Sequence, residues 1–211
     1  FNKDWKFVLK DSAHYSYTSY VPGDEWKKVN LPHDWSVGLP YDSISGEGCV
    51  AFLQGGIGWY SKSFPTTISA NQKCYIVFDG VYNNSEYWIN GKKLGYHPSG
   101  YAPFYFDVTD YLNPNEDNRM TVRVDHSHYA DSRWYTGSGI YRDVKMIVTD
   151  RLHIPVWGTF VTTPVVTDKY AKVNNQVTVY NSYSEPRAAV VEVVYKDNKG
   201  NIAAFEVFSI K

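Results

Sequence analysis

The stretch Asp125–Val144, D-H-S-H-Y-A-D-S-R-W-Y-T-G-S-G-I-Y-R-D-V, is the most informative part of this chain of 211 residues. It sets aromatic rings beside two histidines, two arginines and three aspartates, and it contains two glycines. A buried strand is usually a run of aliphatic residues, and an exposed loop is usually made of small polar ones. Aromatic faces that cover the apolar side of a pyranose, with charged groups that bind its hydroxyls, are typical of a sugar site. The stretch therefore predicts a carbohydrate-binding loop.

The composition indicates a folded chain with no strong charge of either sign. Hydrophobic residues make up 43% of the sequence, aromatic residues 17%, and the formal net charge is -1. This hydrophobic fraction is enough for a core, and tyrosine and tryptophan suit polyhydroxylated ligands, although all-β domains are aromatic-rich in any case. Basic and acidic residues are mixed, and no apolar run reaches the roughly 20 residues that span a bilayer. We therefore expect neither a nucleic-acid partner nor a membrane partner.

The local pattern predicts short strands rather than helices. Four runs are rich in β-branched or aromatic residues and are bounded by turn residues, namely Lys6–Leu9, Lys73–Phe78, Glu86–Ile89 and Met120–Val124. The dipeptide Asn90-Gly91 predicts a two-residue hairpin turn, because both turn positions favour positive φ. Many short strands separated in this way predict a β-sandwich.

The segment 153–211 reads as a separate, incomplete domain. It contains about four alternating segments that predict strands, with turns expected at Asn174-Asn175 and at 198–201. An immunoglobulin-like sandwich needs about seven strands and roughly 100 residues. We therefore expect the first part of such a sandwich and a polypeptide that continues beyond Lys211. An incomplete sandwich leaves an uncovered apolar face, which favours association.

The segment 133–144, R-W-Y-T-G-S-G-I-Y-R-D-V, resembles the end of the N-terminal sugar-binding domain of glycoside hydrolase family 2, in its β-galactosidase branch. Five other segments agree with the same family in the expected order: N-L-P-H-D-W-S at 30–36, G-G-I-G-W-Y-S-K-S-F at 55–64, F-D-G-V-Y at 78–82, W-I-N-G-K-K-L-G-Y-H-P-S-G-Y-A-P-F at 88–104 and D-V-T-D-Y-L at 107–112. Each motif is moderately specific alone. Together they cover residues 1 to about 150, which makes a chance match a poor explanation.

The resemblance implies both a fold and an activity. The implied fold class is all-β, with a jelly-roll (galactose-binding-like) sandwich at 1–152 followed by the partial immunoglobulin-like sandwich at 153–211. In this family the two catalytic glutamates lie on a TIM barrel that follows these domains. None of the seven glutamates of this chain matches those positions. We therefore expect no catalytic residue here, and an inactive N-terminal fragment of a retaining, β-galactosidase-type hydrolase that supplies one wall of the sugar pocket.

Five residues are the candidates for contact with the sugar. In the β-galactosidases that the chain resembles, the aspartate at the place of Asp125 reaches the bound sugar; a turn-capping role is the alternative. Family members commonly carry asparagine where this chain has His126, for which we expect contact with sugar hydroxyls; a surface histidine is the alternative. Arg133 and Trp134 either flank the pocket or brace the end of the sandwich. Asp34, in L-P-H-D-W, belongs to a long loop that in the family runs toward the catalytic pocket.

We expect no cofactor and no metal site in this chain. His126 and His128 are two residues apart, but the spacing places no third ligand beside them. In some members of the resembled family the aspartate at the place of Asp125 helps to hold a monovalent cation. A monovalent or divalent cation is therefore expected, if anywhere, in the parent enzyme.

The expected partners are a β-galactoside and the C-terminal catalytic barrel of the same polypeptide, and the expected location is the periplasm or the exterior of a bacterium. Two other functions stay open. A self-standing carbohydrate-binding module or lectin would bind saccharides without a partner domain, whereas a purely structural β-sandwich would bind none. β-Glucuronidases and β-mannosidases share the architecture, so the sugar is open as well.

Overall fold

The computed structural model describes residues 1–10, 22–44, 48–128 and 134–210. The chain divides into two compact units, Phe1–Val148 and Thr149–Lys211, whereas the sequence places the boundary after residue 152. The fold is all-β, as predicted. Helical structure among the described residues is limited to 3₁₀ turns at Ser36–Gly38, Gly48–Val50 and Thr109–Tyr111. No helix in these ranges is long and apolar enough to cross a membrane.

The first unit is built from two sheets. Its described strands are β1 (Trp5–Leu9), β2 (Lys27–Val29), β3 (Gly56–Pro65), β4 (Gln72–Phe78), β5 (Ser85–Ile89), β6 (Lys92–His97), β7 (Phe104–Asp107), β8 (Asp117–His126) and β9 (Val144–Asp150). The larger sheet has the order β2-β1-β3-β8-β5-β6 and the smaller one the order β7-β4-β9. The four predicted runs lie in β1, β4, β5 and β8. The predicted hairpin turn is confirmed, since Asn90 and Gly91 join β5 to β6 with φ of 50° and 80°.

The main hydrophobic core lies between these sheets. Ile76 of the smaller sheet and Tyr60 of the larger sheet are both fully buried in it. Met120, Val122 and Val124 of β8 join the same core, because alternate residues of a strand face the same side. This alternation determines which side of the sheet each residue at the end of β8 will face.

The opposite face of the larger sheet carries a buried ionic cluster. The guanidinium of Arg123 lies 3.2 Å from a carboxylate oxygen of Glu86 and 2.8 Å from one of Asp125. The three side chains are only 10%, 12% and 18% exposed in that order. Trp59 and Trp88 stack on the same face with ring centroids 5.9 Å apart. The aspartate near the end of β8 is therefore held by an arginine from its own strand.

The second unit consists of paired strands with largely exposed apolar side chains. The strands are β10 (Leu152–His153), β11 (Thr159–Val166), β12 (Ala171–Val177), β13 (Tyr180–Asn181), β14 (Ala189–Lys196) and β15 (Ile202–Ile210). They pair as β10 with β13, β11 with β12 and β14 with β15. The four longer strands confirm the predicted segments. The turn predicted at Asn174-Asn175 is wrong, because both residues lie within β12, where Asn174 pairs with Thr162.

Candidate functional site

Two loops meet at one end of the first unit and form the candidate site, which we call the loop junction (residues 33–36 and 134–140). The amide of His33 donates to the carbonyl of Ile140 at 2.8 Å, and the amide of Trp35 donates to the carbonyl of Ser138 at 3.1 Å. Trp35 is 4% exposed and anchors the first loop in the core. The L-P-H-D-W motif therefore presents Asp34 directly to the second loop.

Asp34 ties the two loops together through its carboxylate. One oxygen accepts hydrogen bonds from the amides of Ser36 at 3.0 Å and Ser138 at 2.9 Å, and the other accepts one from the hydroxyl of Tyr135. Burial, together with the neighbouring carboxylate, raises the pKa of Tyr135, so this phenol stays a donor at neutral pH. The main role of Asp34 is therefore that of a structural acceptor. A sugar hydroxyl would have to donate to the remaining lone pairs of the Asp34 carboxylate.

A chain of short hydrogen bonds runs from the first loop to the end of β8. The hydroxyl oxygen of Ser36 lies 2.6 Å from the carbonyl oxygen of Gln54 and 2.6 Å from the hydroxyl oxygen of Ser138. The latter oxygen lies 2.7 Å from Nδ1 of His126. Both serines are buried, with exposures of 3% and 0%. Sequence reasoning missed them, because two isolated serines 102 residues apart carry no spacing signal.

Two glycines allow the second loop to approach this closely. Gly137 has a φ of 73° and Gly139 a φ of 116°, which L-residues rarely adopt. A Cβ on Gly137 would lie 2.8 Å from a carboxylate oxygen of Asp34, and one on Gly139 would lie 2.2 Å from the hydroxyl of Tyr60. The T-G-S-G motif therefore needs glycine at both positions, because a side chain would be strained at these φ angles and would clash with the neighbouring atoms.

Asp125 lies apart from the loop junction. Its carboxylate accepts hydrogen bonds from the amide and hydroxyl of Ser127 and from Arg123. Burial alone would raise the pKa of Asp125, but these hydrogen bonds outweigh burial and lower the pKa overall. Adjacent strand residues face opposite sides, so Asp125 points toward Arg123 whereas His126 points toward Ser138. The structure brings Asp34 and His126 together and places Asp125 on the other face.

A row of aromatic rings leads from the exposed Trp134 inward to His126. The side chain of Trp134 is 59% exposed, and its indole donates to the hydroxyl of Tyr101 at 3.0 Å. The ring of Tyr101 lies 5.5 Å from that of Tyr82, which lies 5.0 Å from the imidazole of His126. Tyr101 was missed because it comes from a distant loop and only its aromatic character marks it. Arg133 lies outside the described residues.

His33 sits on the inner side of the loop junction. Its Nδ1 lies 2.8 Å from the hydroxyl of Tyr60. Burial lowers the pKa of His33 and raises the pKa of Tyr60, so both groups are neutral at neutral pH. A cavity of about 370 Å³ lies beside His33, lined by residues of β1, β2 and the loop that carries Asp34. Its size falls in the range of small-ligand pockets.

The described residues contain no group of three or more His, Cys, Asp or Glu side chains arranged to hold a metal ion. The cation expected for the parent enzyme stays a prediction.

Comparison with known proteins places the first unit in a family. Residues 2–150 match the model described as the sugar-binding domain of glycosyl hydrolases family 2. A β-galactosidase of Bacteroides ovatus is 40% identical over 207 residues, which is 97% of this chain and 24% of the relative. A putative β-glucuronidase of Formosa agariphila is 40% identical over 169 residues, which is 79% of this chain and 16% of the relative.

The solved structures agree with this assignment. A glycosyl hydrolase family 2 member from Bacteroides cellulosilyticus has a TM-score of 0.90 at 33% identity and matches 100% of this chain with 28% of its own. The chain therefore spans about a quarter of the length of the Bacteroides relatives that it matches. The family match and the 40% identity show that this chain belongs to glycosyl hydrolase family 2 and carries its sugar-binding domain at residues 2–150.

Proposed function

We propose that the chain is the N-terminal, non-catalytic part of a retaining glycoside hydrolase that acts on β-galactosides, and that it supplies one wall of the sugar pocket. The observation that carries this proposal is the loop junction, where Asp34, His126 and Trp134 lie in one connected set of contacts. A carboxylate and an imidazole can bind hydroxyls, and an exposed indole can cover the C–H face of a sugar. Such a wall orients the sugar, and the two catalytic carboxylates come from elsewhere in the polypeptide.

Among the residues that the structure describes, the charges near the loop junction favour a neutral sugar over a uronate. A glucuronide carries a carboxylate, for which an arginine or lysine is the expected partner. Arg123 already donates to Glu86 and Asp125, and Arg142 donates to two backbone carbonyls. Asp34 adds negative charge at the centre of the junction. In addition, the relative named β-galactosidase covers more of this chain, 97% against 79%, at the same 40% identity.

Substrate preference tests the proposal. We expect the full-length protein encoded by the source gene to hydrolyse an aryl β-galactoside with a higher kcat/KM than the matching β-glucuronide. We expect the purified 211-residue chain to hydrolyse neither. Preference for the glucuronide would contradict the proposed substrate, and turnover by the chain alone would contradict its non-catalytic role.

A paired substitution tests the role of the loop junction in that protein. Trp134→Ala should lower kcat/KM for the galactoside, because the indole at the junction is lost. Trp157→Ala is the matched control, since Trp157 is equally exposed at 59% but lies in the second unit. An equal effect of the two substitutions would show that the junction has no special part in the reaction.

The exposed pair Trp134 and Tyr101 also favours a second candidate function, that of a self-standing carbohydrate-binding module. Sugar recognition by exposed rings needs no partner domain when the rings are already positioned. Isothermal titration of the chain with methyl β-galactoside separates the two functions. Sugar affinity of the wild-type chain that disappears in Trp134→Ala would favour the module. No sugar affinity in the wild-type chain would favour a wall that works only within the longer enzyme. The periplasmic or secreted location stays a prediction.

A further inference from the structure

The second loop of the junction has a polar side and an aromatic side. The phenol of Tyr135 donates to the carboxylate of Asp34, whereas the indole of the adjacent Trp134 donates to the hydroxyl of Tyr101 at 3.0 Å. These two neighbours therefore turn to different loops, one to residues 33–36 and the other to the loop that follows β6. We call the second contact the Trp134–Tyr101 pair. Its side chains are 59% and 44% exposed, so both are open to a ligand.

The direction of this hydrogen bond leaves a donor on the tyrosine. An indole nitrogen can only donate, so the hydroxyl oxygen of Tyr101 accepts. Among the residues that the structure describes, no acceptor takes the proton of that hydroxyl. The Trp134–Tyr101 pair therefore offers a flat apolar face and one hydroxyl donor. A saccharide ring matches both features, because it has an apolar C–H side and several hydroxyl oxygens that accept.

The loop after β6 holds Tyr101 in place before any ligand binds. The amide of Tyr101 donates to the hydroxyl of Ser99 at 3.3 Å, and the carbonyl of Gly100 accepts from the hydroxyl of Tyr141 at 2.7 Å. The Tyr101 ring also lies edge-on to the buried ring of Tyr82, with centroids 5.5 Å apart. An exposed ring that is already fixed loses little conformational entropy when a ligand stacks on it. These contacts therefore favour a binding role over that of a loose surface side chain.

We propose that the Trp134–Tyr101 pair binds a sugar unit next to the one that is cleaved, so that the preferred substrate carries its β-galactosyl residue on another saccharide. This inference rests on the proposed function, because it needs the loop junction to be a wall of the sugar pocket. A retaining glycosidase holds the cleaved sugar between two carboxyl groups about 5–5.5 Å apart. That sugar therefore takes the inner, polar end of the junction, and the exposed pair is left for the group to which the sugar is attached.

The leaving group of the substrate tests this inference in the full-length protein. The best of a set of β-galactosyl disaccharides is compared with methyl β-galactoside, whose leaving group has no ring, and the ratio of the two kcat/KM values is measured. We expect Trp134→Ala to lower this ratio by about tenfold, because only the disaccharide loses a stacking contact. Trp134→Phe keeps an aromatic face and should lower the ratio less. An unchanged ratio in Trp134→Ala, with both values lowered equally or neither lowered, would overturn the proposal.

Tyr96→Ala is the matched control. Tyr96 lies in the same unit, is 55% exposed, and its hydroxyl donates to Oδ1 of Asn84 at 2.8 Å, but it belongs to β6 rather than to the loop junction. The ratio should therefore keep its wild-type value in Tyr96→Ala. A fall as large as that in Trp134→Ala would show that the loss of any exposed ring lowers the ratio, and it would overturn the proposal.

The failure of this inference is distinguishable from the failure of the proposed function. A protein that hydrolyses methyl β-galactoside but none of the disaccharides would overturn the inference and leave the proposed function intact. If the full-length protein instead prefers the β-glucuronide, the same ratio is measured with disaccharides and the methyl glycoside of glucuronic acid. The result for the Trp134–Tyr101 pair then does not depend on which sugar is cleaved.

Discussion

The carboxylate of Asp34 and the backbone amide of Ser138 lie 2.9 Å apart although 104 residues separate them in the chain. The same carboxylate oxygen accepts from the amide of Ser36, so one side chain organises the backbone of both loops. Hydrogen bonds to a charged acceptor are among the stronger ones in proteins. The loop junction is therefore a rigid part of the sandwich rather than a pair of independent loops.

Substitution of Asp34 tests this rigidity. Asp34→Ala leaves the amides of Ser36 and Ser138 without this acceptor, and we expect the free energy of unfolding to fall by about 2–3 kcal/mol. Asp34→Asn keeps one carbonyl oxygen as an acceptor and should lose less. Urea unfolding measures the change. Tyr135→Phe is the control, because it removes only the phenol contact with the carboxylate. A loss in Asp34→Ala no larger than that in Tyr135→Phe would contradict the role of the two amides.

Three glycine-to-alanine substitutions separate the cost of a steric clash at Cβ from the cost of a positive φ. Gly139→Ala combines a φ of 116° with a Cβ contact of 2.2 Å, and we expect a loss of at least about 3 kcal/mol or failure to fold. Gly200→Ala has a φ of 84° but open space, so its loss should be about 1–2 kcal/mol. Gly38→Ala has neither problem and should be neutral or stabilising by up to about 1 kcal/mol. Thermal unfolding of the three variants gives the order, and any other order would contradict this explanation.

Arg123 helps to lower the pKa of Asp125. Arg123→Ala removes a hydrogen bond and a positive charge that lower the pKa of Asp125, while burial, which raises it, remains. The pKa of Asp125 should therefore rise, as measured by NMR titration of its carboxyl group. The loss of one partner from a largely buried cluster should also cost about 3 kcal/mol of stability.

The control for this variant breaks an exposed ion pair. Lys28 and Asp4 are 67% and 62% exposed, so Lys28→Ala should have no measurable effect on stability. An unchanged pKa of Asp125 in Arg123→Ala would contradict the contribution of Arg123 to that pKa.

Protonation of His33 should weaken the fold at mildly acidic pH. Burial lowers the pKa of His33 below its usual value of 6.5, although the nearby Asp34 opposes this effect. The unfolded chain therefore binds the proton at a higher pH than the folded chain does. Stability should fall as the pH drops below about 6.5, until the folded pKa is passed.

Urea unfolding at several pH values checks this pH dependence. His33→Gln should reduce the loss of stability between about pH 7 and pH 5. It should not abolish it, because burial also lowers the pKa of His97. An identical pH profile for the wild type and His33→Gln would contradict the prediction.

The second unit should associate with itself at high concentration. Phe205 and Phe208 of β15 are 68% and 51% exposed and lie in a hairpin with other exposed apolar side chains. Exposed apolar strands favour association. Light scattering of the chain should therefore increase with concentration, and less so for the double variant Phe205→Ser and Phe208→Ser. Tyr41→Ser, at another exposed ring in the first unit, is the control.

Local signals in the sequence predicted most of the strands. Alternation and turn residues place β1, β4, β5 and β8, and the dipeptide Asn90-Gly91 marks a turn that both residues adopt with positive φ. The same kind of signal is wrong at Asn174-Asn175, where pairing of β12 with β11 overrides the local preference of asparagine for turns. The family motifs of the first unit were also readable from the sequence alone.

The sequence by itself determined the all-β fold and pointed to Asp34, His126 and Trp134, because strand patterns, turns and motifs are local. Only the tertiary structure decided which of these residues meet. The contacts that define the loop junction join residues about 100 positions apart, such as Ser36 with Ser138, and no spacing in the chain encodes them. The separation of Asp125 from His126 likewise follows from the pleat of β8, which sends neighbouring side chains to opposite faces of the sheet.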